Sequence, residues 1–183
     1  LATPMSFSVM KDFYAKYDAV ILLAGHSSVQ MCQNNRDSVF RNNVRNFVEL
    51  LSKLKNQKLL YASSSSLYAG LSGEATEEES SYKATNYYDL SKKEIDLYAE
   101  MSGLDYYALR FATVNGPSNN LRADLMINKM YVTAMNTGLI EVFNEQVRRP
   151  ILAIDDLCRA IFTILTSPSM PGIYNLASFN ARV

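Results

Sequence analysis

The sequence predicts an α/β protein with a parallel sheet and flanking helices, and three observations lead there. Short apolar runs that end in glycine or serine alternate with longer amphipathic segments. Their order is strand, helix, strand, helix, strand, helix, the order of parallel crossover units. The chain has 183 residues, 48% of them hydrophobic, enough for one domain with one sizeable core.

DAVILLAG, residues 18–25, is a continuous apolar run that suits a central strand buried on both faces. Phe40, Val44, Phe47, Val48, Leu51 and Leu54 recur at spacings of three and four and predict one long helix over about residues 34–56. KLLYASSSS, 58–66, reads as a second strand passing into a serine run, and YAGLSGEATEEESS, 68–81, as a loop with an acidic surface segment. A helix over 87–101 follows, with Ile95, Tyr98 and Met101 on its apolar face and a stop near Gly103. LDYYALRF, 104–111, is a third strand and NGPSNN, 115–120, a loop. Ile127, Met130, Tyr131 and Ala134 mark a helix over about 122–136, ahead of Gly138. IEVF, 140–143, is a short strand and PILAI, 150–154, a strand or extended piece. Asp155 or Asp156 caps the helix LCRAIFTILTS. GIYNLAS, 172–178, is the last strand. The sequence shows no internal repeat.

Composition excludes several functions. Lys plus Arg equals Asp plus Glu at 18 each, so no basic excess draws the chain to nucleic acid or to a membrane surface. Two cysteines, Cys32 and Cys158, make no disulfide scaffold and no CxxC pair; they are expected to be buried or half-buried free thiols in a reducing compartment. One histidine, His26, excludes a His-rich metal site, and no metal is expected. His26 is expected to be a hydrogen-bonded structural residue. No apolar run reaches the roughly 18 residues of a membrane span. LATPMSFSVMKDFYAKYD, at the start, lacks a basic stretch followed by an apolar block. The expectation is a soluble, cytoplasmic protein. Because Leu stands at position 1, part of a longer product is also expected.

The chemistry concentrates in NYYDLSKKEIDLYAE, residues 86–100. Tyr88 and Lys92 are four apart, hence on one face of the predicted helix. A tyrosine with its ordinary pKa of about 10 is a poor base at neutral pH. An ammonium one turn away favours the phenolate, which can then take a proton from an alcohol and return it. In a chain with 12 tyrosines such a pair arises easily by chance. The serine run gives it meaning. It ends a predicted parallel strand, where ligands bind in such sheets. A serine hydroxyl there can hold the oxygen that the tyrosine deprotonates.

Several segments, taken in order, resemble the extended short-chain dehydrogenase/reductase family in its nucleotide-sugar epimerase and dehydratase branch. They are DAVILLAGHSS, NNVRNFVELL, YASSSSLYAG, NYYDLSKKEID, LRFATVNGP and RRPILAIDDLCRAI. The resemblance covers nearly the whole chain. It implies a Rossmann-like parallel sheet with flanking helices and a cofactor, NAD or NADP. It also implies a nucleotide-sugar substrate and pairing into homodimers through the YxxxK helix. The whole chain, 1–183, would be one partial domain with substrate-region elements from about residue 115 onward.

Residue by residue, the resemblance makes Ser64, four before Tyr68, the catalytic hydroxyl and Tyr88 the acid/base. Lys92 would hold the nicotinamide ribose and stabilise the Tyr88 phenolate. Leu23, Ala24 and Gly25 would pass beside the cofactor, Gly25 allowing close backbone approach. Asn43 would support the site. Ser65, Thr113 and Asn115 would face substrate, and Arg149 would take its diphosphate. Thr113 stands where the family usually has asparagine, Asn115 where it has tyrosine, and Ala153 where a histidine is common.

The family opens with a strand and a GxxGxxG loop at a helix N-terminus. None of the seven glycines here forms that motif after an initial strand. By the resemblance about three strands and the glycine-rich loop are missing ahead of residue 1. This leads to the expectation of a fragment, or of a protein whose missing half-domain comes from a partner. The favoured activity is epimerisation by reversible hydride transfer at a sugar hydroxyl carbon. An NAD(P)H-dependent reductase, a sugar dehydratase and a non-catalytic binding relative stay open. Family dehydratases carry an acidic pair just after the catalytic hydroxyl residue, where this chain has Ser65 and Ser66.

Overall fold

Residues 16–182, apart from positions 72, 80, 82 and 144, are described by a computed structural model. The N-terminal stretch up to residue 15 and parts of the acidic loop fall outside the described residues. The chain divides into two units: one runs to Arg110 and includes Pro168–Tyr174, the other comprises Phe111–Ser167 and the residues from Asn175 on.

In the first unit, β1 (Ala19–Leu22), β2 (Lys58–Ser64), β3 (Tyr106–Phe111) and β6 (Gly172–Leu176) form a sheet in the order β1-β2-β3-β6. β1 and β2 run parallel, Ala19 opposite Lys58 and Leu22 opposite Tyr61. β1 is shorter than its apolar run and lies at one end of the sheet order, so Ile21 and Leu23 are exposed rather than buried on both faces. Val44, Phe47 and Leu50 pack on Leu59, Tyr61 and Ala108. The rings of Phe47 and Tyr61 meet edge-on at 4.9 Å.

The helix expected over 34–56 runs from Arg36 to Leu51 with a π-helical segment inside it, and a separate short helix precedes it. α1 (Val29–Asn34) starts where the Ser28 hydroxyl accepts the Met31 N–H. At Asn35 the backbone leaves helical geometry, and its side chain caps α2 (Arg36–Val39) by accepting the Ser38 N–H at 3.3 Å. A π-helical segment (Phe40–Arg45) and α3 (Asn46–Leu51) follow. The apolar period holds for the buried Val44 and Phe47, but Phe40 faces solvent.

α4 (Tyr87–Met101) begins and ends where the sequence places it. Its buried face differs. Tyr98 and Met101 are exposed, Met101 at 86%, while Ser91, Lys92, Ile95, Asp96 and Ala99 are buried. The reason is Asp96. Its Oδ1 accepts from Tyr61 Oη at 3.0 Å. Its Oδ2 accepts from Ser63 Oγ at 2.9 Å and from Arg110 Nε and Nη2 at 3.2 Å each. Arg110 Nη1 donates to Tyr68 Oη at 2.5 Å. Burial pushes the Asp96 carboxyl up against the opposing pull of Arg110, and burial with the neighbouring Asp96 pushes the Tyr61 phenol well up. A fully paired polar cluster outweighs the apolar pattern in choosing which face α4 buries.

The second unit has a three-stranded sheet of β4 (Thr113–Asn115), β5 (Arg148–Ala153) and β7 (Phe179–Arg182), ordered β4-β5-β7. β4 and β5 are parallel, β5 and β7 antiparallel. β4 and β7 are too short to stand out in the sequence, and residues 140–143, expected as a strand, form none. α5 (Met126–Thr137) starts four residues later than expected. α6 (Ile154–Thr166) has Ala153 at its cap position, so neither Asp155 nor Asp156 caps it. Both aspartates sit in the first turn, at the positive end of the helix dipole. Asp156 accepts from Ser178 Oγ and pairs with Arg159. Leu152, Leu157 and Ala112 form the core of this unit, with Val114 and Ile161 against them. Cys32 is buried and Cys158 exposed, a correction to the expectation for the second thiol.

Two substitutions test this packing. Asp96→Ala leaves the Arg110 guanidinium, 1% exposed, without its carboxylate. Denaturant unfolding is expected to show a loss of about 3–5 kcal/mol; a loss near zero would mean that the pair does not hold α4. At Gly116 (φ 149) an added Cβ would lie 2.5 Å from Ile154 Cγ2. Gly116→Ala is therefore expected to cost about 1–3 kcal/mol, read in the same assay.

Candidate active site

β2 ends at Ser64, still extended, and the chain closes into a 3-10 turn (Ser65–Tyr68). Ser64 Oγ accepts the Ser66 N–H at 3.2 Å and stands 2.9 Å from Ser66 Oγ. Ser66 Oγ donates to Asp89 Oδ1 at 2.6 Å. Asp89 Oδ2 accepts from Asn86 Nδ2 at 2.6 Å and Thr85 Oγ1 at 3.4 Å, while Asn86 Oδ1 accepts the Asp89 N–H at 2.9 Å. Asn86 thus caps α4, and the Asp89 carboxylate holds the Asn86 side chain in place. The serine turn is tied at one end to the start of α4 through Asp89 and at the other to β3 through Tyr68 and Arg110.

Tyr88 is half-buried beside Asp89. Lys92 is buried, its Nζ 5.7 Å from the centre of the Tyr88 ring and 2.6 Å from the Ala62 carbonyl oxygen of β2, to which it donates. Burial pulls its ammonium down from 10.5 to about 8, against the opposing effects of Asp96 and Cys32. Burial also pushes the Cys32 thiol up.

Leu23, Ala24 and Gly25 follow β1 and are exposed. Asn43, on the π-helical segment, locks this loop to α4. Its Oδ1 accepts the His26 N–H at 2.8 Å. Its Nδ2 donates to the His26 carbonyl and to Ser91 Oγ, both at 3.1 Å. Ser91 Oγ donates to the Tyr88 carbonyl at 2.8 Å. His26 Nε2 is 2.8 Å from Ser38 Oγ, so this histidine is hydrogen-bonded within the fold. A Cβ at Gly25 (φ 154) would lie 3.0 Å from Asn43 Oδ1, so only glycine brings the loop this close. Ala24, Asn43, Tyr61, Ala62 and Lys92 line a cavity of about 30 Å³, room for about one water.

Thr113, Asn115 and Arg149 belong to the second unit. Thr113 stands opposite Ile151 and Asn115 opposite Ala153. Side chains alternate along a strand. Thr113, Asn115 and Arg149 therefore share one face of this sheet, and Val114 and Leu152 turn to the core on the other. Arg149 is exposed and, with Lys129, Met126, Met130, Ile140 and Phe143, lines a cavity of about 260 Å³.

The structure brings Ser64, Tyr88, Lys92, Asn43 and the Leu23–Gly25 loop together within the first unit. Ser65 is half-buried in the turn. Ser66, Asp89, Ser91, Asp96 and Arg110 join this network without having been singled out in the sequence. Only Asp89 had a local signal, an asparagine three residues before it.

A family model described as Epimerase, the NAD dependent epimerase/dehydratase family, matches residues 5–177. The chain belongs to the NAD-dependent epimerase/dehydratase family. It is 28% identical over 164 residues to Protein CapI of Staphylococcus aureus, covering 85% of this chain and 48% of the relative. It is 29% identical over 170 residues to a UDP-glucuronate 4-epimerase of Thermodesulfobacterium geofontis, covering 87% and 52%. The chain thus spans about half the length of these curated relatives. Among solved structures it resembles the UDP-glucuronic acid 4-epimerase of Bacillus cereus in complex with UDP-glucuronic acid and NAD. The TM-score is 0.81 at 20% identity, covering 97% of this chain and 60% of that one. A UDP-N-acetylglucosamine 4-epimerase of Methanobrevibacter ruminantium gives 0.78 at 24%, covering 95% and 58%. Among the described residues no helix is long and apolar enough to cross a membrane.

The buried ammonium makes a prediction for this family member. Lys92 holds its proton less tightly folded, near 8, than at its ordinary 10.5. Below pH 8 both states are protonated and this group adds no pH dependence. Between the two values the unfolded chain binds more protons, so stability rises with pH. Relative to Lys92→Met, the native protein is expected to gain up to roughly 3 kcal/mol across that window in denaturant unfolding. A declining difference would contradict the shift.

Proposed function

We propose that the protein carrying this chain is an NAD(P)-dependent nucleotide-sugar epimerase acting at a sugar hydroxyl carbon. The observation that carries the reading is the buried Lys92 ammonium beside the Tyr88 ring, on a helix whose first turn is tied to Ser64. The curated and solved relatives support a UDP-sugar with C4 as the reacting carbon.

In this reading Tyr88, as phenolate, takes the proton of the sugar hydroxyl and later returns it. Lys92 favours the phenolate by its charge. Ser64 holds the same oxygen. The residues of the first unit fit a dinucleotide: an exposed loop with glycine at its closest approach, and a buried cation one helical turn from the tyrosine. Leu23, Ala24, Gly25, Asn43, Tyr88 and Lys92 would hold or support it. NAD(P), when bound, supplies the acceptor and donor for the hydrogen on the sugar carbon. Arg149, exposed and next to a cavity with an apolar lining, suits a diphosphate beside a base. Ser65 in the first unit, and Thr113 and Asn115 in the second, are assigned to substrate by the family resemblance. Leu90, Leu97, Tyr98 and Met101, exposed on α4, support pairing of two copies through that helix. The free thiols suit a cytoplasmic location.

The test uses the complete reading frame. NAD+ and UDP-sugars are titrated in, and conversion to the C4 epimer is followed. Tyr88→Phe is expected to lower kcat by about 10²–10⁴-fold with NAD+ affinity retained. A native protein that is folded but binds neither ligand, or a Tyr88→Phe variant with near-native kcat, would remove the proposal.

A further inference from the structure

We propose that Tyr68 is a positioning residue for Ser64: its phenol, held by the buried Arg110, sets the far end of the serine turn and with it the place of the Ser64 hydroxyl. This rests on the reading of Ser64 as the group that holds the sugar oxygen. The tie concerns where Ser64 Oγ stands, and it leaves the proton of the sugar hydroxyl to Tyr88.

The geometry is a closed ring of side chains around Ser64. On the strand side, Ser63 Oγ donates to Asp96 Oδ2 at 2.9 Å. Arg110 Nε and Nη2 donate to the same oxygen at 3.2 Å each. Arg110 Nη1 donates to Tyr68 Oη at 2.5 Å, with the guanidinium carbon 5.1 Å from the centre of the Tyr68 ring. Ser63 and Tyr68 are thereby tied to one ion pair, and Ser64 lies on the backbone between them. Asp96 and Arg110 are 3% and 1% exposed, so neither side chain exchanges its partners for water. A guanidinium is a rigid planar fork. Once two of its nitrogens are aimed at Asp96, the direction of the third is fixed as well.

The other contacts of the turn leave a freedom that this bond removes. Leu67 is 1% exposed and presses the turn onto the fold, but apolar packing is non-directional. Ser66 bonds Asp89 from the middle of the turn. The Ala69 N–H donates to the Ser66 carbonyl at 3.0 Å, which closes the turn on itself. The bond between Tyr68 and Arg110 fixes the end of the turn to β3. Ser64 Oγ accepts the Ser66 N–H at 3.2 Å, so its position follows the backbone of the turn. A turn rotated about the end of β2 would carry Ser64 Oγ with it. Misplacing a group by about 1 Å in an active site can cost roughly 10²-fold in rate.

The experiment is a double-mutant cycle on the complete reading frame with NAD+. The substrate is UDP-glucuronic acid or UDP-N-acetylglucosamine, whichever the native protein converts to its C4 epimer. Tyr68→Phe keeps the half-buried ring and removes the oxygen that Arg110 meets. It is expected to lower kcat by about tenfold, short of the cost of a full displacement. In a Ser64→Ala background the same change is expected to move kcat by less than about twofold, because the group it positions is gone. NAD+ affinity, read by calorimetry, is expected to stay native, since the Leu23–Gly25 loop has no part in this ring. Thermal melting accompanies each variant. Equal losses in the two backgrounds, a native kcat in Tyr68→Phe, or a Tyr68→Phe protein that has lost its fold would overturn this inference and leave the epimerase reading standing. A native kcat in Ser64→Ala removes the role of Ser64 and this inference with it, while Tyr88→Phe still decides the epimerase reading. Conversion of neither sugar by the folded native protein overturns both.

Discussion

The structure of the first unit depends on one buried carboxylate. Asp96 is 3% exposed and accepts hydrogen bonds from Tyr61 and Ser63 on β2 and from Arg110 on β3. A charge placed there is tolerable only with its partners in place, because burying it alone would cost several kcal/mol. The three donors sit on two neighbouring strands, so their demands fix how far along and at what rotation α4 lies on the sheet. Lys92 is one helical turn earlier. Its own buried ammonium is partly sustained by Asp96. The rotation that satisfies Asp96 is therefore the one that turns Lys92 toward β2 and leaves Tyr88 half-buried at the helix start.

Two aspartates on α4 thus act at different places. Asp96 fixes the body of the helix against the sheet, and Asp89 fixes its first turn to the serine turn after β2. The guanidinium that answers Asp96 also reaches Tyr68, at the far end of that same serine turn. The 3-10 turn is held from both sides, and Ser64, which caps it, has little freedom. Buried ion pairs are weak sources of net stability compared with well-packed apolar side chains. Their value here lies in geometry: an apolar seam along α4 could slide or rotate by a fraction of a turn, and this polar one cannot.

Much of this was legible in the sequence, and the rest was hidden for physical reasons. β2 and α4 stood out because a strand bounded by serines and a capped helix ending near Gly103 are local signals. Tyr88 and Lys92 stood out as a pair through their spacing, and Ser64 was singled out through the family resemblance. The short helix ahead of Asn35 was not legible, because Cys32 is its only buried residue and it carries no apolar period. The buried face of α4 was misread for a different reason. Asp96 and Lys92 look like surface residues until Tyr61, Ser63 and Arg110 are brought to them, 35, 33 and 14 positions away in sequence. Asp89 was passed over because Ser66 is 23 positions distant. β4 and β7 are held by pairing with β5 and carry little pattern of their own.

The sequence offers no acid beside Ser64, since Ser65 and Ser66 occupy the positions after it. The structure does bring a carboxylate there, from α4. Its surroundings bear on which chemistry the site favours. Elimination of water needs an acid or base that reaches the substrate and exchanges a proton with it. Asp89 is almost wholly buried, accepts from Ser66, Asn86 and Thr85, and so holds the side chain that caps α4. To serve as an elimination acid it would have to leave all three donors and release the Asn86 side chain, which caps the helix that carries Tyr88. Held as it is, it orders a hydroxyl rather than trading protons with a sugar. In the proposed reading one serine, one tyrosine and one buried cation move a single proton on and off an alcohol, as reversible oxidation at a carbinol carbon requires.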